Sequence, residues 1–450
     1  MAAADAYRGR VWYPYTQMLD LPQPPEIVRG RGVWLEARDG RRYLDAISSW
    51  WVTLHGHAEP RIAEAIARQA SELEQVILSG FTHPLAEELA EKLAAITPGH
   101  MTRVFYSDDG STAVEVALKM ALQCRQQRGE PQRRRIVALE HAYHGDTLGA
   151  MSVSARSPFT VAFDDWLFPV ERVPSDRLEP LAALLAERGS EVAAVIVEPL
   201  LQAAGGMVLQ AEGFLAGVRR LCDQHGVLLI ADEVLTGFGR VSDGGIDWRG
   251  APLGYAERPA YAQPAGDPRE PRPAGAWMFA CGAAGVAPDI LCLSKGLTAG
   301  FLPMAATLCT EAVYEAFLSS DRARTLFHGH SFTGNALGCA AALASLEVFA
   351  TEPVRERIAA IAAHHARRLE RLRTHPRVAA IRQAGTVAIL EVAAETHGYL
   401  DAMGPRLRKF YMDRGVLLRP LGPVVYVLPP YCIRPSELDE VWDMIEQSLD

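Results

Sequence analysis

Residues 288–300 read PDILCLSKGLTAG, so that Lys295 directly follows the apolar run Ile290, Leu291, Cys292 and Leu293. Taking an ammonium out of water is costly, so a lysine placed there either reaches back to solvent along its stem or is kept for its amine. A second apolar run, VLLIAD (227–232), ends in a carboxylate, Asp232, which is as costly to leave unpaired. If both runs are strands of one sheet, each charge makes the other's placement intelligible. A lysine amine able to form an imine, and an aspartate able to pair with a protonated pyridine nitrogen, are what pyridoxal phosphate requires of a protein. A phosphate also needs a cradle. DDGSTAVEVALKMA (108–121) offers Gly110 and Ser111 at the start of a helix, whose free N–H groups attract anions, and Tyr143 offers a flat face for the ring. Taken singly these residues read as a helix cap, a packing aromatic and a strand-end carboxylate; at successive strand ends they read as a cofactor site.

The elements that must position them follow an α/β grammar. Five short aliphatic, β-branched or aromatic runs, RVFYSD (103–108), RRIVALE (134–140), AAVIVEP (193–199), VLLIADE (227–233) and DILCLSK (289–295), alternate with helical patterns. Between the third and fourth, Phe214, Leu215, Val218, Leu221 and Cys222 fall on one helical stripe that Gly226 ends, as a crossover between parallel strands requires. Strands this apolar on both faces belong inside a mostly parallel sheet covered by helices, and ligands of such sheets bind at the carboxyl ends of the strands. The residues to inspect are therefore Ser107 to Ser111, His141 to His144, Glu198, Asp232-Glu233 and Ser294-Lys295.

At 450 residues and 49% hydrophobic the chain can bury a core of two ordinary domains. No apolar run approaches the roughly 18–20 residues that span a bilayer, and MAAADAYRGRVWYPY lacks a signal-peptide core, so the expected compartment is the cytoplasm, with no membrane partner. The seven cysteines are scattered and without ligand spacing, which suits reduced core residues and no metal site. A net charge of −9 gives no surface to track a phosphate backbone, despite the local Arg133-Arg134-Arg135 cluster, and nucleic acid is not an expected partner. Residues 241–276 hold six prolines and six glycines in 36 residues and are expected to form a surface insertion without regular structure, dispensable for the chemistry.

Several of these segments resemble the class III, fold-type I pyridoxal phosphate aminotransferases over nearly the whole chain. The motifs are GSTAVEVALKMA (110–121), AYHGDTLGAMS (142–152), ADEVLTGFGR (231–240), LCLSKGLTAG (291–300) and HGHSFTGNALGCAAALASLE (328–347). WYPYTQM (12–18), SSWWVTLHGH (48–57) and RGVLLRPLGPVVYVLPPY (414–431) resemble one branch of that family, which aminates 7-keto-8-aminopelargonate to the 7,8-diamine of biotin synthesis. The resemblance implies that Lys295 carries pyridoxal 5'-phosphate and moves the substrate proton, that Asp232 holds the pyridinium and that Tyr143 stacks on the ring. It further implies that Gly110 and Ser111 bind the phosphate of their own subunit while Gly329, His330 and Ser331 reach it from the second subunit of a homodimer. Trp50 and Tyr15 would wall the pocket for a long apolar chain, Arg419 would clamp the substrate carboxylate, Tyr426 would line the same pocket, and Gly329 would also meet substrate. Asp146 and Arg240 match the motifs in supporting roles.

What the resemblance implies for the reaction is ping-pong transfer from S-adenosylmethionine, with lysine the alternative donor, to a small-molecule keto acid. Another ω-amino acid or diamine transaminase of the class is the alternative. The expected organisation is a large cofactor-binding domain over 63–331 and a small α+β domain built from 1–62 and 332–450. Asp232 and Lys295 stand 63 residues apart, about twice the family's spacing, and the excess is the 241–276 insertion.

Overall fold

In the computed structural model, which describes residues 7–19, 21–242, 246–247, 275–395 and 398–450, the chain opens with three antiparallel strands, β1 (Ile27–Arg31), β2 (Trp34–Ala37) and β3 (Arg42–Asp45). A seven-stranded sheet follows, made of β4 (Met101–Ser107), β5 (Arg135–Leu139), β6 (Glu171–Val173), β7 (Val192–Val197), β8 (Leu228–Asp232), β9 (Ile290–Leu293) and β10 (Ala305–Thr310). Its order is β4-β10-β9-β8-β7-β5-β6, and β10 alone runs against the other six. Five of the strands are the five apolar runs. The two that sequence patterning does not announce are β6, three residues long, and β10, whose AATLCT is too short and too alanine-rich to stand out from its surroundings.

Every residue of β7 and β8 is buried, as strands covered on both faces must be. Helix α1 (Gly110–Gln127) packs on this sheet against β9, β10 and β7. Helix α2 (Phe214–His225) makes the crossover into β8, and its last turn closes on Gly226 at φ 60°, a left-handed position that suits glycine. The register brings two charged residues to one edge: Asp232 lies opposite Cys292, so Lys295, three residues on, leaves the sheet at the same end.

The C-terminal part starts with α3 (Ala336–Thr351), buried on nearly all sides and packed against the helices Pro60–Glu72 and Pro84–Ile96. Strands β11 (Val378–Ala384), β12 (Val387–Val392), β13 (Val416–Leu417) and β14 (Val424–Val427) follow. β13 pairs in parallel with β3, which ties the two ends of the chain into one sheet.

Within the breaker-rich segment, Ile246–Asp247 pairs with the edge of β11, contrary to the expectation of no regular structure; two residues suffice to extend an existing edge. Ala276–Met278 at its other end is a 3₁₀ turn. Residues 243–245 and 248–274, on which the expectation of dispensability rests, lie outside the described residues.

Candidate active site

The strand ends of the large sheet surround a cavity of about 460 Å³, lined by Trp50, Trp51, Asp108, Asp109, Gly110, Ser111, Tyr143, His144, Glu198, Asp232, Ser294 and Lys295 among others. That size is typical of a small-molecule or cofactor site, about 300–1,000 Å³. Strand register explains why these residues converge: Ser111 follows β4, Tyr143 follows β5, Glu198 follows β7, Asp232 closes β8 and Lys295 follows β9.

Lys295 sits at φ 37°, in the left-handed region, directly past the strand. Its Nζ is 4.9 Å from the ring centre of Trp51. Burial pushes the amine below its ordinary pKa, while the carboxylates of Asp232 and Glu198 pull it the other way. The chain has four lysines. Lys92 and Lys409 pair with Glu88 and Asp413 on the surface, and Lys119 meets His328 at 3.0 Å, so Lys295 is the one whose amine lines this cavity.

Asp232 is buried, its carboxylate receiving His144 Nδ1 at 2.7 Å and the Val234 N–H at 3.1 Å. Glu198 is buried beside it and accepts the N–H groups of Tyr143 and Ala203, each at 3.0 Å. Burial raises the Glu198 carboxyl to about 7, opposed by His144 and reinforced by Asp232. Because the folded value lies above the ordinary 4.5, the neutral acid is favoured in the fold. Its contribution to stability is full below pH 4.5 and is lost as pH rises to about 7. Glu198→Gln in the ligand-free chain is expected to remove this pH dependence, on the order of 3 kcal/mol between pH 4.5 and 7, as read by urea unfolding across that range. An unchanged pH profile in the variant would contradict it.

At the start of α1, Asp109 caps the helix by accepting the Thr112 N–H at 2.9 Å, leaving Gly110 and Ser111 in the first turn at the cavity wall. A Cβ on Gly110 would come 2.7 Å from Val234 Cγ1, so only glycine leaves this wall its shape. Ser111 Oγ accepts the Asp146 N–H at 3.2 Å.

A second chamber of about 310 Å³ adjoins the first and shares Trp50, Trp51, Tyr143 and Lys295 with it. Tyr15, Phe159, Tyr399, Arg419 and Tyr426 complete its largely aromatic wall. The Arg419 guanidinium lies 4.1 Å over the Trp50 ring and donates to the Tyr399 hydroxyl at 3.2 Å. Tyr426 OH accepts Trp51 Nε1 at 3.2 Å. The Tyr15 hydroxyl bonds to Tyr143 at 3.0 Å and to the Asp146 carboxylate, and burial with Asp146 pushes it up to about 12.

Nine of the sequence-predicted site residues, Tyr15, Trp50, Gly110, Ser111, Tyr143, Asp232, Lys295, Arg419 and Tyr426, thus line these two connected chambers. Gly329, His330 and Ser331 do not line either chamber of the single chain: Gly329 and Ser331 are exposed, and His330 Nε2 stands 4.0 Å from Asp108 at the rim. Sequence reasoning left Glu198 and His144 without a role, although a carboxylate ending the apolar AAVIVEP run carries the same signal as Asp232. Phe159 and Tyr399 sit in no motif, and nothing in their local sequence marks them.

The profile of the family described as aminotransferase class-III matches residues 20–244 and 274–449. The chain belongs to the class III aminotransferases. The stretch between the two matched segments falls within the Pro/Gly-rich insertion. Among curated class III relatives, the adenosylmethionine-8-amino-7-oxononanoate aminotransferase of Synechococcus elongatus is 45% identical, with 98% of each chain covered. That of Geobacter sulfurreducens is 39% identical over 98% of this chain and 96% of its own. The crystal structure of the enzyme of the same name from Methanocaldococcus jannaschii aligns with a TM-score of 0.85 at 34% identity, covering 98% of this chain and 96% of that one. A PLP-bound amine transaminase from an uncultivated Pseudomonas species aligns at 0.84 and 29% identity, covering 99% of both chains.

Proposed function

We propose that this class III aminotransferase transfers an amino group from S-adenosylmethionine to 8-amino-7-oxononanoate, forming 7,8-diaminononanoate for biotin synthesis, as a cytoplasmic homodimer. The observation that carries the substrate is the aromatic chamber lined by both Lys295 and Arg419. Two adjacent tryptophans divide its chemistry, Trp51 facing the amine and Trp50 carrying the guanidinium. Such a chamber suits a long apolar chain with a carboxylate held away from the reacting carbon.

The residues present fit pyridoxal phosphate: a buried amine over Trp51, a buried carboxylate for the ring nitrogen, and a glycine wall at a helix start that a Cβ would fill. When bound, that group would supply an aldehyde that takes up and gives back the amino group and a ring that serves as electron sink. Asp232, with His144 fixing its carboxylate, would hold the ring nitrogen; Gly110 and Ser111 would take the phosphate, and Tyr143 the ring face. Lys295 Nζ, its pKa lowered by burial, can take the proton of the substrate carbon and return it. Trp50, Tyr15, Tyr143 and Tyr426 exclude water around the chain of the keto acid, and Arg419 sets which carbon reaches Lys295.

The exposure of Gly329 and Ser331 and the position of His330 beside Asp108 support their contribution to the phosphate site of a second copy. β13, which extends the sheet of β1 to β3, supports one small domain from residues 1–62 and 332–450 beside the large domain 63–331. Seven unpaired cysteines suit a reducing compartment, and among the described residues no single helix is long and apolar enough to cross a membrane.

The test is diamine formation from 8-amino-7-oxononanoate with S-adenosylmethionine and with lysine, each alone. Product with lysine only would reassign the donor, and product with neither would move the chain to the amine transaminases that share its fold. Arg419→Ala is expected to lower kcat/KM for the keto acid by roughly 30-fold or more, because losing one partner of a desolvated charge pair costs about 2–5 kcal/mol. The yellow absorbance of the bound cofactor should remain. Arg419→Lys should recover only part, since a point charge lacks the planar fork. Full activity of the alanine variant would place the carboxylate elsewhere.

A further inference from the structure

The two tryptophans that divide the substrate chamber stand on a backbone that resists its own shape. Ser48, Ser49 and Trp51 adopt φ of 53°, 57° and 70°, in the left-handed region that side-chain-bearing residues avoid, and Ser49 combines its φ with a ψ of −95°. Conformations of this kind persist only where the surroundings over-determine them. Here the surroundings are two buried charges, one on either side of the turn. From one side, the fully buried Asp45 carboxylate, at the end of β3, accepts the Ser49 N–H at 2.7 Å, Ser49 Oγ at 3.1 Å and the Ile47 N–H at 3.2 Å, with His57 Nε2 on Oδ2 at 2.9 Å. From the other side, the buried Arg240 guanidinium donates to Ser48 Oγ at 2.6 Å, to the Thr53 carbonyl at 3.4 Å and to the Pro429 carbonyl at 2.6 Å. Asp45 lines neither chamber.

We propose that Asp45 is the positioning residue of the substrate wall: by holding Ser49 in a left-handed conformation, it places Trp50 under Arg419 and Trp51 beside Lys295, and so sets the distance over which the substrate chain is measured. The assignment rests on the proposed keto acid substrate. A binding wall that shifts out of place loses its hold on the substrate chain, and the precision of such a wall comes from the residues supporting it. The Asp45 carboxylate supplies two acceptors, one for the Ile47 N–H and one shared by Ser49 and His57. An asparagine in its place can keep one acceptor but not both.

Relief at a second site separates positioning from fold stability. Glycine occupies the left-handed region freely, so Ser49→Gly removes the strain that Asp45 offsets. In the holoenzyme, Asp45→Asn is expected to weaken binding of nonanoate, an unreactive nine-carbon carboxylate, and to raise KM for the keto acid, each by about 10-fold or more, with kcat and the cofactor absorbance changed less than about 3-fold. Adding Ser49→Gly should restore nonanoate binding, measured calorimetrically, to within about 3-fold of wild type. Arg240 and His57 remain in all variants, and thermal unfolding of each reports stability separately. Asp45→Asn binding nonanoate as wild type does, or a defect that Ser49→Gly leaves in place, overturns the proposal. Wild-type protein that binds no nonanoate would sink the reading of the chamber itself.

Discussion

Lys295→Ala is expected to lower turnover by at least on the order of ten-thousand-fold, because in the proposed site one substitution would remove both the group that anchors the cofactor and the group that moves the proton. Nothing nearby can replace it. The other three lysines are occupied at the surface or against His328, and none of them lines either chamber. The loss should be chemical and not structural, since alanine keeps the Cβ and meets the same φ of 37° that lysine already tolerates. Removing the buried amine leaves Asp232 with His144 and the Val234 N–H as partners. Borohydride treatment of the wild-type holoenzyme should fix the cofactor on the peptide that carries Lys295, and the alanine variant should yield no adduct. Mapping of the adduct to Lys119, or retained turnover in Lys295→Ala, would refute the assignment.

Asp232→Ala should lower kcat by roughly 100- to several-thousand-fold, the upper part of the range that follows from about 2–5 kcal/mol for unpairing a buried charge. The effect should exceed that at Arg419 because, on the proposed function, the carboxylate would govern the electron sink itself, whereas Arg419 would govern the alignment of the far end of the substrate. Cofactor affinity should fall together with kcat, read as release of the yellow chromophore on dialysis. Asp232→Asn separates charge from shape: it can still accept the Val234 N–H but cannot carry the negative charge that a pyridinium needs. Its kcat should therefore stay close to that of the alanine variant. An asparagine variant within about 3-fold of wild type would mean that charge at this position is not what the cofactor uses.

Much of the site was legible because burial forces a choice on a charged residue. Lys295 and Asp232 stand at the ends of runs so apolar that only a sheet interior accounts for them, and charges at such ends require partners. The same reasoning places Ser111 and Tyr143, since a strand that ends inside an α/β sheet delivers its next residues to one edge. The crossover helix Phe214–His225 with its closing Gly226 was readable for a local reason, a 3.6-residue stripe followed by a residue free to take a positive φ.

What only the tertiary structure decided are the relations that no local pattern encodes. That Asp232 lies opposite Cys292, and Lys295 therefore beside it, is a matter of strand order across 63 residues of sequence. That β10 runs against its neighbours, and that β13 joins the sheet of the chain's first strands, are pairings fixed by long-range packing and not by periodicity. Phe159 and Tyr399 enter the second chamber from distant segments, and Glu198 acquires its raised pKa only from the burial that those pairings create. The left-handed turn before Trp51 is the clearest case. Ser-Ser-Trp-Trp has no glycine to announce it, and its shape exists because Asp45 and Arg240, almost 200 residues apart, hold it from two sides. Composition and periodicity determine which residues are buried and which elements form; which charged group meets which is decided when the sheet and the chain ends close around them.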